Sequence, residues 1–231
     1  MRNKKPRICV YCGSTAELTR NHIPPKALFP PPRPTLITVP SCRTCNGNAS
    51  RDDEYLKVVA TLREDLASDP NVQQLLPSVL RGLARPQAVH LARSIVSTTR
   101  EVEIRTASGF YIGKGIGYDV DLTALDRVMA RTVKGLYFHH FGTPIPAGYD
   151  VVAFSFAGLR SVDQPLRGNI INTLTALTSQ PPHRMGDRVF LYWYQMPPEH
   201  EVVSAWLLLL YVKLPFLCII GPNGERPTQP V

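Results

Sequence analysis

Apolar side chains recur at helical spacing in the middle of the chain. Residues 71–100 carry this pattern as two predicted helices, which Pro86 divides because proline interrupts helical hydrogen bonding. A longer helix is predicted from a cap at Asp121 to about Phe141, and Gly142 supplies a typical helix stop. The arginines and the lysine of this helix, at 127, 131 and 134, are expected on a solvent-exposed face, with contact to nucleic acid as the alternative.

An earlier helix is predicted to run through residues 55–60 to about Leu66. Ser50 or Asp52 can cap its N-terminus, because short polar side chains accept hydrogen bonds from the first free backbone amides of a helix. Its apolar positions lie around residues 55–60, and Asp69-Pro70 marks a break after it.

Short apolar or alternating segments predict strands between and after the helices. Residues 109–117 are rich in glycine but lack the order of a phosphate-binding loop, so we expect a hairpin or loop there. The predicted fold class is α+β, with strands at 19–23, 36–39, 100–105, 151–156, 170–174, 189–194, 203–211 and 216–220.

The composition fits a globular protein with a basic surface. The 231 residues are 44% hydrophobic, and the net charge of +8 indicates a polyanionic partner, either nucleic acid or an acidic membrane surface. The apolar stretch 206–220 is interrupted by Lys213 and Pro215 and is too short to span a bilayer, so we expect buried strands joined by a bend. No segment of signal-peptide type follows the basic N-terminus, so the expected location is cytoplasmic, without membrane attachment.

Four of the five cysteines form two CxxC pairs. Cys9 and Cys12 are separated by 29 residues from Cys42 and Cys45, and Gly13 permits a tight turn after the first pair. In a cytoplasmic chain this spacing favours metal binding over disulfides, and four thiolates suit a closed, tetrahedral, structural Zn²⁺ site.

The residues around these pairs resemble an HNH endonuclease module of the zinc-containing ββα-metal type. The resemblance rests on the two CxxC pairs, on His-Ile-Pro-Pro at 22–25, on Cys-Asn at 45–46 and on the acidic residues 52–54. It covers about a quarter of the chain. It implies a β-hairpin and a helix around a divalent cation, and hydrolysis of phosphodiester bonds in DNA to leave 5′-phosphate and 3′-hydroxyl ends.

The resemblance also implies roles for individual residues. His22 matches the general base, and Asn46 matches the asparagine that supports the loop and orients the histidine. Asn21 and Asp53 match ligands of a catalytic Mg²⁺ or similar ion, with Asp52 and Glu54 as rivals of Asp53. A single hard cation of this kind would stabilise the leaving oxyanion. Positive side chains near the site suit the phosphate backbone and are located at Arg20, Lys26, Arg43 and Arg51.

Asn21 is a departure from the family, which commonly has an acidic ligand before the histidine. A neutral amide weakens cation binding, so the alternative interpretation is a catalytically inactive zinc module that binds nucleic acid or a partner protein. We place the nuclease module at residues 1–67 and an α+β region of regulatory, sensor or partner-binding type at 68–231. A protein partner or a homo-oligomer is left open.

Overall fold

The N-terminal region is a β-hairpin followed by a helix. The computed structural model describes residues 7–106, 108–156, 164–199 and 201–224, and of residues 164–166 the backbone alone. Strands β1 (Leu18–Ile23) and β2 (Ile37–Cys42) are antiparallel, and helix α1 (Arg43–Thr61) follows directly. His22 pairs with Thr38 in this register. The two predicted strands are therefore confirmed, each with slightly different bounds.

The start predicted for α1 was wrong. The helix begins at Arg43, and its cap is Cys42, whose sulfur accepts a hydrogen bond from the backbone N–H of Cys45 at 3.4 Å. It ends at Thr61, and residues 64–66 form a separate 3₁₀ turn. Cys45 and Asn46 thus belong to the first turn of α1, with Cys42 as its cap, which places them on the same helix as Asp53.

Two helices and a hairpin follow α1. Helix α2 (Pro70–Leu83) and helix α3 (Val89–Thr98) are separated by a 3₁₀ turn that starts at Pro86, as predicted. Strands β3 (Arg100–Arg105) and β4 (Tyr111–Gly117) form an antiparallel hairpin. The glycine-rich segment therefore forms one strand of a hairpin. The alternation of polar and apolar residues in β3 predicts a half-buried strand, but β3 is more exposed than that.

Helix α4 (Leu122–Phe141) is the central helix of the fold. Its predicted caps are confirmed, because Oδ1 of Asp121 accepts a hydrogen bond from the N–H of Ala124 at 3.1 Å and Gly142 adopts φ +79°. The helix contacts β1, β2 and α1 on one side and β5 and β9, described next, on the other. It therefore connects the N-terminal hairpin with the C-terminal sheet.

The C-terminal part is a five-stranded antiparallel sheet in the order β5-β9-β8-β7-β6. Its strands are β5 (Tyr149–Ser155), β6 (His183–Met185), β7 (Phe190–Gln195), β8 (Ser204–Leu210) and β9 (Leu214–Pro222). The apolar stretch 206–220 thus forms two buried strands joined by a tight turn, as predicted. The strand predicted at 170–174 was wrong, because these residues lie in helix α5 (Gln164–Thr178).

Alternating residues of β8 face different layers. Trp206 and Leu208 belong to the large core shared with α4, whereas Leu207 packs in a smaller cluster with Leu177 of α5. The large core also contains Leu56 of α1, so apolar residues from both sides of residue 67 share it. The division of the chain at residue 67 stays a prediction. Within the described residues, none of the helices combines the length and apolarity required to cross a bilayer.

Candidate functional site

The first CxxC pair lies in a tight turn. The N–H of Cys9 donates to the carbonyl of Ser14 at 2.7 Å, and the N–H of Gly13 donates to the carbonyl of Cys9 at 2.9 Å. Gly13 adopts φ +75°, a conformation that glycine accepts without steric cost. The turn is joined to β2 by a further bond, from the N–H of Val10 to the carbonyl of Pro40 at 3.1 Å. These contacts bring Cys9 and Cys12 next to the second pair.

The four thiols form one cluster that can hold a metal ion such as zinc. All four Sγ atoms lie within 4.8 Å of one another, and the Sγ atoms of Cys12 and Cys42 are 3.7 Å apart. Zinc–sulfur bonds of about 2.3 Å in a tetrahedron place the sulfurs about 3.8 Å apart, so small shifts of the cysteine side chains would let the cluster hold zinc. Four protein ligands would leave a bound ion no open coordination position.

The protonation of the thiols differs within the cluster. Burial raises the pKa of Cys9. Hydrogen bonds from the backbone amides of Cys42, Tyr11 and Cys12 outweigh this effect and lower the pKa to about 6. Burial and the neighbouring thiols raise the pKa of Cys45. A bound cation favours the thiolate form of each ligand, so metal binding would release protons from the cluster.

Beside the cysteine cluster lies an open cleft between the hairpin and α1. Its volume is about 390 Å³. It is defined by its lining residues, which are Thr19, Arg20, Asn21, His22, Pro25, Lys26, Arg43, Asn46, Gly47, Ser50 and Asp53. The four residues that the sequence assigns to catalysis and to the second cation, Asn21, His22, Asn46 and Asp53, are therefore brought together.

His22 lies on β1 with its side chain partly exposed in the cleft. Burial lowers its pKa below the ordinary value of 6.5, and the positive charges of Lys26 and Arg33 lower it further. The neutral imidazole is consequently the main form at neutral pH, and a neutral imidazole can accept a proton.

Asn46 ties the start of α1 to β1. Its Nδ2 donates to Oγ1 of Thr19 at 3.0 Å, and that hydroxyl donates to the carbonyl of Ser41 at 2.9 Å. The chain of bonds runs from the helix through β1 to β2, and it fixes the strand that carries His22.

The three acidic residues of α1 have different surroundings. Oδ1 and Oδ2 of Asp52 accept two hydrogen bonds from Arg127, at 2.9 and 2.8 Å, and Asp52 does not line the cleft. Glu54 is exposed and pairs with Lys57 at 3.2 Å. Asp53 alone of the three lines the cleft, so it is the carboxylate best placed for a cation.

Asp53 also has a charged partner behind the cleft. Nη2 of Arg131 donates to Oδ1 of Asp53 in a short contact, and the two side chains are 13% and 21% exposed. Burial raises the pKa of Asp53, and the guanidinium of Arg131 lowers it in part. The sequence analysis missed this pair, because Arg131 is 78 residues away and its helix was expected to present it to solvent.

The other two cations of this α4 face are paired as well. Arg127 binds Asp52, and Nζ of Lys134 lies 2.8 Å from Oδ1 of Asp150. The expectation of a solvated basic face on α4 thus holds for Arg127, whose side chain is 53% exposed, and was wrong for Arg131, whose side chain is 13% exposed.

Polar atoms without partners are concentrated around Asp53. Among the described residues, five buried side-chain atoms lack a hydrogen bond, and three of them are Nδ2 of Asn21, Nε of Arg131 and the hydroxyl of Tyr11. Asn21 lines the cleft and is only 5% exposed, and Tyr11 is close enough to Asp53 and Arg131 for their charges to shift its pKa. Unpaired buried atoms of this kind indicate a site that receives water, an ion or a ligand.

Three of the four predicted phosphate-binding cations line the cleft, namely Arg20, Lys26 and Arg43. Arg51 is exposed on α1 and is not among the lining residues. Arg43 lies 3.8 Å from Glu17, but both side chains are more than two-thirds exposed, so this pair is weak.

Comparison of the chain with protein-family models, with curated proteins and with solved structures gives no significant match in any of the three.

Proposed function

We propose that this chain is a metal-dependent endonuclease of the HNH type that hydrolyses phosphodiester bonds of DNA. One observation carries the proposal: a histidine, a buried asparagine and a carboxylate, at 22, 21 and 53, line one open cleft with three basic side chains. The order of hairpin and helix around this cleft is the order that the resemblance implies.

The oxygen atoms in the cleft suit a hard cation. Asn21 offers an amide and Asp53 a carboxylate, and Mg²⁺ accepts such ligands while it keeps several waters. These two residues would hold the ion. When bound, it supplies positive charge that stabilises the departing oxyanion.

His22 has the proton-transfer role in this mechanism. Its neutral imidazole takes a proton from the water that attacks phosphorus, while the bond from phosphorus to the 3′ oxygen breaks. Asn46 holds β1 through Thr19 and so keeps the imidazole in place. Arg20, Lys26 and Arg43 bind the phosphates on either side of the scissile bond, and the cysteine cluster fixes the hairpin against α1.

A second candidate function is a zinc module that binds nucleic acid without cutting it. The pairing of Asp53 with Arg131, together with the neutral Asn21, favours this candidate, because both reduce the negative charge available to a cation. It predicts salt-sensitive binding and no cleavage with any divalent ion.

Nicking of supercoiled plasmid with Mg²⁺ separates the two. We expect nicking by the wild-type chain, none by His22→Ala, and unchanged nicking by His90→Ala, a matched control on α3 outside the cleft. Single-stranded DNA and RNA offered in parallel define the substrate. Equal activity of the wild type and His22→Ala would refute the assignment, and binding without nicking would support the second candidate.

A further inference from the structure

The ionic balance of the cleft is unfavourable to an isolated cation. Three basic residues line it, at 20, 26 and 43, and Asp53 is the only acidic residue among the described residues of its lining. The charge of that carboxylate is already balanced by Arg131, and the second oxygen ligand, Asn21, is neutral. The cleft with Arg131 thus carries a net positive charge, which attracts phosphate and opposes Mg²⁺.

The two ion pairs between α1 and α4 differ in geometry. Asp52 and Arg127 form a two-bond fork at 2.8 and 2.9 Å that uses both carboxylate oxygens. Asp53 receives one bond, from Nη2 of Arg131 to Oδ1, and Nε of Arg131 remains buried without a partner. The pair at Asp53 is therefore less complete, and its second oxygen, Oδ2, is left for another ligand.

We propose that Arg131 is the internal counter-ion of Asp53, and that a divalent cation binds tightly at Asp53 only together with the phosphate backbone of a nucleic acid. This inference rests on the proposed function. The phosphate brings the negative charge and the oxygen ligands that the chain does not supply, in the way that Mg²⁺ sites often combine one or two carboxylates with substrate phosphates.

Coupling of this kind works in both directions. If bound nucleic acid raises the affinity of the protein for the cation by a given factor, bound cation must raise the affinity of the protein for the nucleic acid by the same factor. Arg131 sets the size of the factor, because its charge suppresses cation binding in the free protein and is opposed by the phosphate in the complex. Removal of Arg131 then raises the cation affinity of the free protein and reduces the coupling.

The test is a Mn²⁺ titration, followed by the electron paramagnetic resonance of free Mn²⁺, on zinc-loaded full-length protein. All variants carry His22→Ala to prevent cleavage, and each is titrated with and without a short DNA duplex. We expect the duplex to raise the Mn²⁺ affinity by about tenfold or more, within the usual range of coupling between sites. Arg131→Met should raise the affinity of the free protein by about tenfold, the usual effect of one adjacent charge.

Arg127→Met is the matched control. It removes one arginine from the same helix and one ion pair between the same two helices, but its partner Asp52 lies outside the cleft. We expect it to leave Mn²⁺ affinity and coupling unchanged. Arg131→Lys, which keeps the charge, should behave like the wild type.

Three results would overturn the inference. The first is an equal Mn²⁺ affinity with and without duplex, and the second is an equal effect of Arg131→Met and Arg127→Met on that affinity. The third is weaker Mn²⁺ binding by Arg131→Met, which would mean that Arg131 positions the Asp53 carboxylate for the cation. If Arg131→Met does not fold, the comparison with and without duplex decides alone. Plasmid nicking is a separate readout, so coupled binding without nicking refutes the proposed function and not the coupling.

Discussion

Gly135 of α4 lies directly against Ile23 of β1: a Cβ atom on Gly135 would come within 2.5 Å of Cγ1 and 2.6 Å of Cδ1 of Ile23. Ile23 follows His22 and is 1% exposed, so this contact sets how closely the strand that carries His22 approaches the central helix. The glycine is needed here because any side chain occupies the space of the isoleucine.

Replacement of Gly135 by alanine is therefore expected to destabilise the protein. Alanine favours a helix by about 1 kcal/mol over glycine, but overpacking of a core costs about 1–3 kcal/mol. We expect a net loss in the free energy of unfolding, measured by urea denaturation, and lower nicking because β1 shifts. Gly82→Ala in α2 is the control, since its nearest neighbour is Oε1 of Glu54 at 3.7 Å, and it should not destabilise. Equal effects of the two substitutions would contradict the packing argument.

Removal of one cysteine of the cluster should release the metal and destabilise the fold. Cys45→Ser is expected to reduce bound zinc from about one ion per chain to near zero, and to cost several kcal/mol, because metal binding contributes directly to folding. Zinc content by mass spectrometry and the thermal midpoint measure both effects. Cys218→Ala is the control: it is fully buried in β9 but lies outside the cluster, so zinc content should stay at one. Full zinc occupancy in Cys45→Ser would contradict the four-thiol site.

An acidic residue at position 21 should strengthen cation binding. Asn21 is 5% exposed, so an ionised carboxylate there costs several kcal/mol without a counter-ion, and a bound cation offsets part of that cost. We expect Asn21→Asp to lower the thermal midpoint without divalent ions and to regain stability on addition of Mg²⁺, more than the wild type does. Asn48→Asp, an exposed change of the same charge on α1, should show neither effect. The same Mg²⁺ response in all three proteins would argue against Asn21 as a ligand.

The protonation of His22 gives a pH-dependent prediction. Its pKa is lowered by burial and by Lys26 and Arg33, so the folded protein binds this proton less readily than the unfolded chain. Stability should consequently decrease as pH falls from 6.5 through the folded pKa, and His22 should have no such effect above that window. Nuclear magnetic resonance of the imidazole in cation-free protein, assigned with His22→Asn, measures the pKa. Lys26→Ala should raise this pKa, and a value at or above 6.5 in the wild type would contradict the effect of burial and of the two positive charges.

Features fixed by local rules were predictable from the sequence. Asp121 and Gly142 bound α4 because a capping carboxylate and a left-handed glycine act within one turn. The clustering of the cysteines likewise follows from their spacing. The N-terminus of α1 was not predictable by the same rules, since its cap is the sulfur of Cys42, an uncommon capping atom.

Features that depend on distant partners were missed. The β-branched residues around 170–174 favour a strand locally, but Leu174 and Leu177 pack on the sheet from a helix, and tertiary packing overrides the local preference. The ion pairs of Arg127 and Arg131 join residues 75 and 78 positions apart, which no local pattern specifies. The presence of Asn46 and Asp53 in one site was expected from the resemblance of the motifs and not from the spacing of apolar residues.

The helical periodicity of α1 determines which of its residues face the candidate site. Asn46, Ser50 and Asp53 are spaced by four and three residues, so they lie on one face of the helix, and that face lines the cleft. One residue inserted between positions 47 and 50 would turn Asp53 by about 100° relative to Asn46, because the helix has about 3.6 residues per turn. Every side chain would still be present, yet the carboxylate and the amide would no longer face the same space. The length of this short segment is thus as strict a requirement of the site as the identity of its residues.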